Sequence, residues 1–174
     1  MSPPDLPEPS PDLRRYTFEE VGAADLPRLR DWVARPHVAE WWDDDEPFRD
    51  EDLADPRVDL RLVSFDGRPF AFMQDYDVRG WVGHYFGHLP PGSRGIDQFI
   101  AEPDMVGIGH GPAFISLRIK ELFDGGAPAV ATDPHPDNKR AVAAYEKVGF
   151  RATGEPMTTQ WGLILPMVFW RKSL

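Results

Sequence analysis

The stretch MVGIGHGPAFISL, residues 105–117, constrains the fold of this chain more than any other. Gly107, Gly109 and Gly111 stand at every second position, and an apolar run at helical spacing follows at once. A glycine inside a helix costs roughly 1 kcal/mol against alanine, so the cluster belongs to a turn that feeds a helix. Just upstream, RGIDQFIA (residues 94–101) alternates as a strand does. Strand, bare-backbone turn and helix N-terminus aim several unpaired amides in one direction, and the helix dipole adds about half a positive charge. Such a unit is either a tight turn or a cradle for phosphate. Its spacing, G-x-G-x-G, matches neither the dinucleotide fingerprint G-x-G-x-x-G nor a phosphate loop with its Gly-Lys-Ser/Thr.

The other elements fall around this unit. A strand over residues 14–21 precedes a helix that Asp25 can cap and whose apolar stripe is Leu26, Leu29, Trp32 and Val33. A second helical segment, residues 38–42, carries Trp41 and Trp42 and runs into the acidic Asp43, Asp44, Asp45 and Glu46. VDLRLVSF and RPFAFMQDY flank Asp66-Gly67, a strong two-residue hairpin signal. Residues 77–93, rich in glycine, histidine and aromatics, read as a long loop or an irregular strand. The helix after the glycine turn spans about residues 110–123, tolerates Pro112 in its first turn and closes at Gly125-Gly126. PAVAT (residues 128–132) is a short buried strand, and residues 139–148 form a helix capped by Asn138 or Asp137 and ended by Gly149. Two strands, about 151–154 and 164–171, close the chain, joined by a loop containing Trp161. The order β-α-α-β-β-β-α-β-α-β-β describes one mixed α/β sheet without repeats.

Charge narrows the partners. The 174 residues include 19 basic and 29 acidic side chains, a net charge of −10. That disfavours a protein whose task is gripping nucleic acid, because phosphate neutralisation supplies most of that affinity. It suits a cationic substrate, or simply keeps the chain soluble. The absence of cysteine excludes disulfides, thiolate metal sites and a cysteine nucleophile. No apolar run approaches the roughly 18 residues of a membrane helix, and the start lacks the pattern of a secretory signal. Residues 1–13, rich in proline and acid, read as a disordered tail on a single domain spanning 14–174, and the whole points to the cytoplasm.

A second motif decides between turn and cradle. TDPHPDNKRAVAAYEKVGF, residues 132–150, puts Asp133 at the carboxyl end of a strand, where open α/β sheets hold ligands. Together with the glycine loop it resembles the GNAT superfamily of acetyl-coenzyme A-dependent N-acetyltransferases. The superfamily's pyrophosphate loop has the form Gln/Arg-x-x-Gly-x-Gly/Ala, and Val106, Gly107, Ile108, Gly109, His110 and Gly111 match it except at Val106. Asn138, Ala141, Tyr145, Gly149 and Phe150 match its second coenzyme-contacting helix. LRDWVARPHVAEWW (residues 29–42) and GIDQFIA (residues 95–101) add a likeness to the aminoglycoside 6′-N-acetyltransferases, and that subgroup also resembles siderophore-pathway lysine acyltransferases. The resemblance covers about residues 16–171. It implies a mixed sheet of about seven strands flanked by helices, with a V-shaped opening between the two central strands.

The resemblance also implies roles. Asp97 matches the aspartate that takes the proton from the incoming ammonium; the alternative is a strand residue paired with Arg94. A carboxylate of ordinary pKa, near 4, is a poor base for an ammonium, so Asp97 needs burial or a water relay to serve. Asp133 matches a substrate-side carboxylate, or initiates an Asp-Pro turn. Tyr145 matches the phenol beside the thioester sulfur, or is an aromatic on the apolar face of its helix. Asn138 holds the pantetheine chain, caps its helix, or both. Trp41, Trp42, Trp81 and Trp161 either wall the substrate cleft or belong to the core.

The histidines lack metal-ligand spacing, so no metal is expected. Without a Gly-x-Ser-x-Gly elbow or a cysteine, direct transfer in a ternary complex fits better than an acyl-enzyme. The expected reaction is acetyl transfer from acetyl-coenzyme A to a primary amine of a cationic small molecule, aminoglycoside 6′-N-acetyltransferase-like, by a monomer or homodimer. The alternatives are a siderophore or lysine-type acyltransferase and a coenzyme A-binding protein without catalysis.

Overall fold

The computed structural model describes residues 11–42 and 47–172. Most of the expected tail and the acidic Asp43, Asp44, Asp45 and Glu46 lie outside these residues. Pro11–Arg15 is a 3-10 turn, and the first strand, β1, is Tyr16–Glu20. Helices α1 (Leu26–Val33) and α2 (Pro36–Ala39) follow, then β2 (Val58–Phe65), β3 (Arg68–Asp77) and β4 (Arg94–Ile100). After the glycine turn come α3 (His110–Asp124), β5 (Ala129–Thr132) and α4 (Lys139–Val148). The chain then forms β6 (Arg151–Ala152), a small hairpin of β7 (Met157–Thr159) and β8 (Gly162–Ile164), and β9 (Met167–Trp170).

Seven strands make the central sheet in the order β1-β2-β3-β4-β5-β9-β6. Every pair is antiparallel except β4–β5. The β2–β3 turn places Asp66 at φ 50° and Gly67 at φ 79°, the mirror-image turn that suits the twist of a hairpin. The parallel pair is brief: only Arg94 with Val130 and Gly95 with Ala131 are in register. Beyond them the strands part, and the Thr132 hydroxyl donates to the Ile96 carbonyl at 3.0 Å across the start of the gap. This is the V-shaped opening.

The sheet is buried on both faces, which is why β3 reads as the near-continuous apolar run FAFM. On one face Met73 and Ile96 pack against Phe114, Ile115 and Ile119 of α3 and Tyr145 and Val148 of α4. On the other, Phe72 and Phe99 pack against Leu29, Trp32 and Val33 of α1. A third cluster, Val78, Phe86 and Leu89 with Tyr76, Ala129, Ala131 and Val168, ties down the loop 78–93. The alternation along β4 thus sends Asp97 and Gln98 to opposite faces at the place where the sheet opens.

Some local expectations are corrected. Asp25 does not cap α1; its carboxylate accepts from the Gly22 amide at 2.9 Å and closes the preceding turn instead. The strand expected over 164–171 is broken in two. Pro166 has no amide to give a ladder, so β8 ends before it and β9 begins after it.

Candidate active site

A cleft of about 430 Å³ opens where β4 and β5 diverge, bounded by α2, the glycine loop, the β5–α4 connection and α4. At its glycine end the walls are backbone. Gly107 has φ 75° and Gly109, the residue before α3, has φ 100°. These left-handed conformations come cheaply only to glycine. No side chain caps α3, so its first amides remain available to a ligand. A Cβ built on Gly109 would meet no atom within 4 Å, and one on Gly107 would meet only the Arg140 Nε, at 3.9 Å. The loop therefore presents bare amides to open space, as a diphosphate cradle requires.

Val106, Gly107, Gly109 and Gly111 line the cleft, whereas the side chains of Ile108 and His110 do not. Ile108 is 68% exposed. The His110 ring turns away to bond the Tyr16 hydroxyl at 2.6 Å, packed against Phe65 and Phe70. At these two positions only the main chain is available to a phosphate. Asn138 and Ala141 line the cleft together, and the Asn138 side-chain oxygen accepts from the Ala141 amide at 3.3 Å, capping α4. Arg140 and Lys147, also on α4, bring positive charge to the same cleft.

The base of the cleft is built of side chains. Asp97 accepts a hydrogen bond from Gln74 Nε2 at 2.9 Å, across the β3–β4 ladder where the two residues are in register. Burial, and then the negative charge of Asp133, hold the Asp97 carboxyl well above the usual carboxylate range. Arg94 does not pair with Asp97. It bonds Asp75 at 2.6 Å and Asp59 at 3.0 Å, and Arg118 of α3 completes the Asp75 site. Asp133 follows β5 and accepts the hydroxyl hydrogen of Tyr85, which reaches in from the loop 78–93. Tyr145 is buried on α4, with Gln98 Nε2 3.5 Å from its hydroxyl. Burial raises the proton affinity of this phenol above the ordinary tyrosine value.

The four tryptophans divide. Trp41 and Trp42 line the cleft, Trp41 over the His135 ring at 5.5 Å and Trp42 also embedded among Phe48, Phe72 and Phe99. Trp81 and Trp161 lie outside that lining. Trp81 packs edge-on against Tyr76 with the Arg57 guanidinium 4.4 Å above its ring. Trp161, 55% exposed on the β7–β8 hairpin, approaches His84 at 5.4 Å and Tyr85 at 6.1 Å, and so stands beside the group that holds Asp133.

Sequence reasoning did not pick out Gln74, Tyr85, Thr132 or Arg140. Gln74 becomes evident only through the β3–β4 register, which sets it opposite Asp97 and which no tight turn fixes in advance. Tyr85 had no readable signal, because nothing periodic fixes a side chain in a sixteen-residue loop. Among the described residues no group of three His, Asp or Glu side chains is placed to hold a metal, and no helix is long and apolar enough to cross a membrane.

Comparison with known proteins agrees with this geometry. Residues 22–157 match the acetyltransferase (GNAT) domain family. An aminoglycoside N(6′)-acetyltransferase type 1 of Klebsiella pneumoniae is 33% identical over 161 residues, covering 86% of this chain and 80% of that protein. A kanamycin resistance protein of Rhizobium radiobacter is 39% identical over 84 residues, 48% of this chain and 77% of that protein. The crystal structure of aminoglycoside acetyltransferase AAC(6′)-Ib with coenzyme A and kanamycin superposes with a TM-score of 0.80 at 32% identity, covering 90% of this chain and 95% of that one. Fold, glycine loop and relatives coincide, and the chain belongs to the GNAT acetyltransferases.

Proposed function

We propose that this enzyme acetylates the 6′-amine of an aminoglycoside-type sugar, with both substrates bound together and Asp97 and Tyr145 serving the proton transfers. The observation that carries this reading is the pair of carboxyl groups, Asp97 and Asp133, set at the gap in the sheet opposite the glycine loop. Anions at that place suit a polycationic acceptor. The relatives named for aminoglycosides, matched over nearly the whole chain, support the same acceptor class.

The residues present fit acetyl-coenzyme A, which supplies an acetyl thioester when bound. The amides of residues 107–111 and the guanidinium of Arg140 suit its phosphates, and Asn138 and Ala141 flank the channel between those amides and Tyr145. An ammonium has no lone pair for attack, so Asp97 takes one proton from it. Asp133 stays beside the substrate cation. Tyr145 keeps its proton at working pH because burial strengthens its hold, and it meets the departing sulfur as a donor. The nitrogen sheds two protons in becoming an amide: one is balanced by the thiol that forms, and one leaves to solvent. Proximity supplies much of the rest.

The test is thiol release from acetyl-coenzyme A against kanamycin- and neamine-type sugars, N-hydroxylysine, lysine, polyamines and short peptides. Fast turnover confined to sugars bearing a free 6′-amine is expected. Faster turnover of N-hydroxylysine would assign the enzyme to the siderophore-type acyltransferases.

A further inference from the structure

Two carboxyl groups that line one cleft cannot be equivalent if one of them is to act as a base. Asp97 and Asp133 form such a pair, and each also accepts a bond from a different neighbour. Gln74 donates an amide hydrogen to Asp97 at 2.9 Å, and Tyr85 donates its hydroxyl hydrogen to Asp133. Tyr85 is itself fixed, its ring stacked on His84 at 4.3 Å and 28° and packed against buried Phe86 at 4.8 Å. His84 accepts the Phe86 amide on Nδ1 at 3.1 Å, so its orientation is set by the loop backbone.

We propose that Tyr85 is a positioning residue for the acid–base step: its hydroxyl, donated to Asp133, holds that carboxylate as the substrate-side anion and leaves Asp97 to take the substrate's proton. This rests on the reading of Asp97 as the base. Burial, and then the charge on Asp133, strengthen the hold of Asp97 on a proton. That supplies what an ordinary carboxylate lacks when it must strip an ammonium. In the step itself, an N–H bond of the substrate breaks, its electron pair stays on nitrogen, and the proton bonds to an Asp97 oxygen. Without the Tyr85 hydroxyl, the charge on Asp133 loses its donor, the proton spreads over both carboxyls, and the pair as a whole binds protons more tightly.

Other titratable groups surround the pair. Tyr76 on β3, His84 on the loop and Tyr145 on α4 face it. His37, His135, Arg140 and Lys147 are in the same cleft. Burial holds His84 below the ordinary histidine value, against the opposing pull of Asp133.

The experiment is a carboxyl-carbon NMR titration of the ligand-free protein labelled at aspartate, paired with the pH profile of kcat/KM. It compares the wild type with Tyr85→Phe, Asp133→Asn and His84→Gln. Loss of a hydrogen bond to a charged group is worth about one pH unit in a coupled titration. Tyr85→Phe is therefore expected to move the acid limb, and the pair's carbon titration with it, upward by about that much. Asp133→Asn is expected to move both downward, since Asp97 loses its charged neighbour. A role confined to packing would lower the rate of Tyr85→Phe and leave both titrations where they were, and that result overturns the proposal. It is overturned too if His84→Gln abolishes the acid limb, because the group being read would then be the histidine. Failure of the underlying reading looks different: Asp97→Asn would retain full activity, whatever Tyr85→Phe does.

Discussion

The two ends of the cleft are made of different material. The glycine end is main chain: Gly107 and Gly109 in left-handed conformations, an uncapped helix start, and a helix held by its own Asn138 cap. The carboxyl end is side chain: Asp97 on β4, Asp133 after β5, Gln74 on β3 and Tyr85 from a loop, each from a different element. A backbone cradle binds whatever diphosphate the coenzyme carries and tolerates change around it. A side-chain cluster depends on several independent placements at once, and small changes re-aim it. Coenzyme recognition should therefore be robust in this enzyme and acceptor choice easily altered.

Substitutions at the two ends should then separate in kind as well as size. The largest loss is expected for Asp97→Asn, about 10²–10⁴-fold in kcat/KM with the coenzyme Kd unchanged. The same change should stabilise the fold. Asp97 holds its proton more tightly folded than unfolded, so stability falls as pH rises from the unfolded carboxylate range, about 4, through the raised folded value. Asp97→Asn removes that slope, and thermal melts at neutral pH should show a higher Tm than the wild type. A lower Tm would mean the carboxyl pair is a structural tie. Next comes Tyr145→Phe, expected to cost about 10²-fold in kcat with little change in either KM; single-turnover release of coenzyme A at the wild-type rate would remove it from the chemistry.

At the glycine end the effect should be smaller and confined to one substrate. Gly109→Val places a branched side chain at φ 100° and forces a strain of about 1–2 kcal/mol on the loop. Calorimetry should find coenzyme A bound roughly tenfold more weakly, while the amine KM stays put. A rise in the amine KM instead would erase the distinction between the ends. The smallest effect is expected for Trp161→Ala. This exposed residue touches His84 and Tyr85 but not the cleft lining, so the acceptor KM should change a few-fold and stability by less than about 0.5 kcal/mol.

The same division explains what could be read from sequence. Main-chain recognition leaves a trace in spacing, so Gly107, Gly109 and Asn138 were visible at once, and β3, α3 and α4 were visible from their periodicity. Asp97 stood out only through family likeness, because an aspartate in an alternating strand has many ordinary explanations, and its partner Gln74 became evident only when strand register was known. Tyr85 was invisible: it lies in the irregular loop 78–93, whose course is set by the burial of Val78, Phe86 and Leu89 rather than by any local pattern. The break at Pro166 was legible in principle, since proline cannot donate to a ladder, yet the apolar run around it outweighed that signal.

The strand order carries a consequence for the making of the protein. β1 to β4 lie side by side in the order of synthesis, but β5 is completed by β9, which arrives last and slots between β5 and β6. β9 also seats α4, because the Phe169 ring fills the space beside Gly149, where even a methyl group would come within 1.8 Å of it. A chain still on the ribosome can thus assemble the strand bearing Asp97 long before it owns a firm floor for the coenzyme helix. The coenzyme site is therefore complete only once β9 is in place, and deleting Met167–Trp170 should leave a chain that binds no coenzyme.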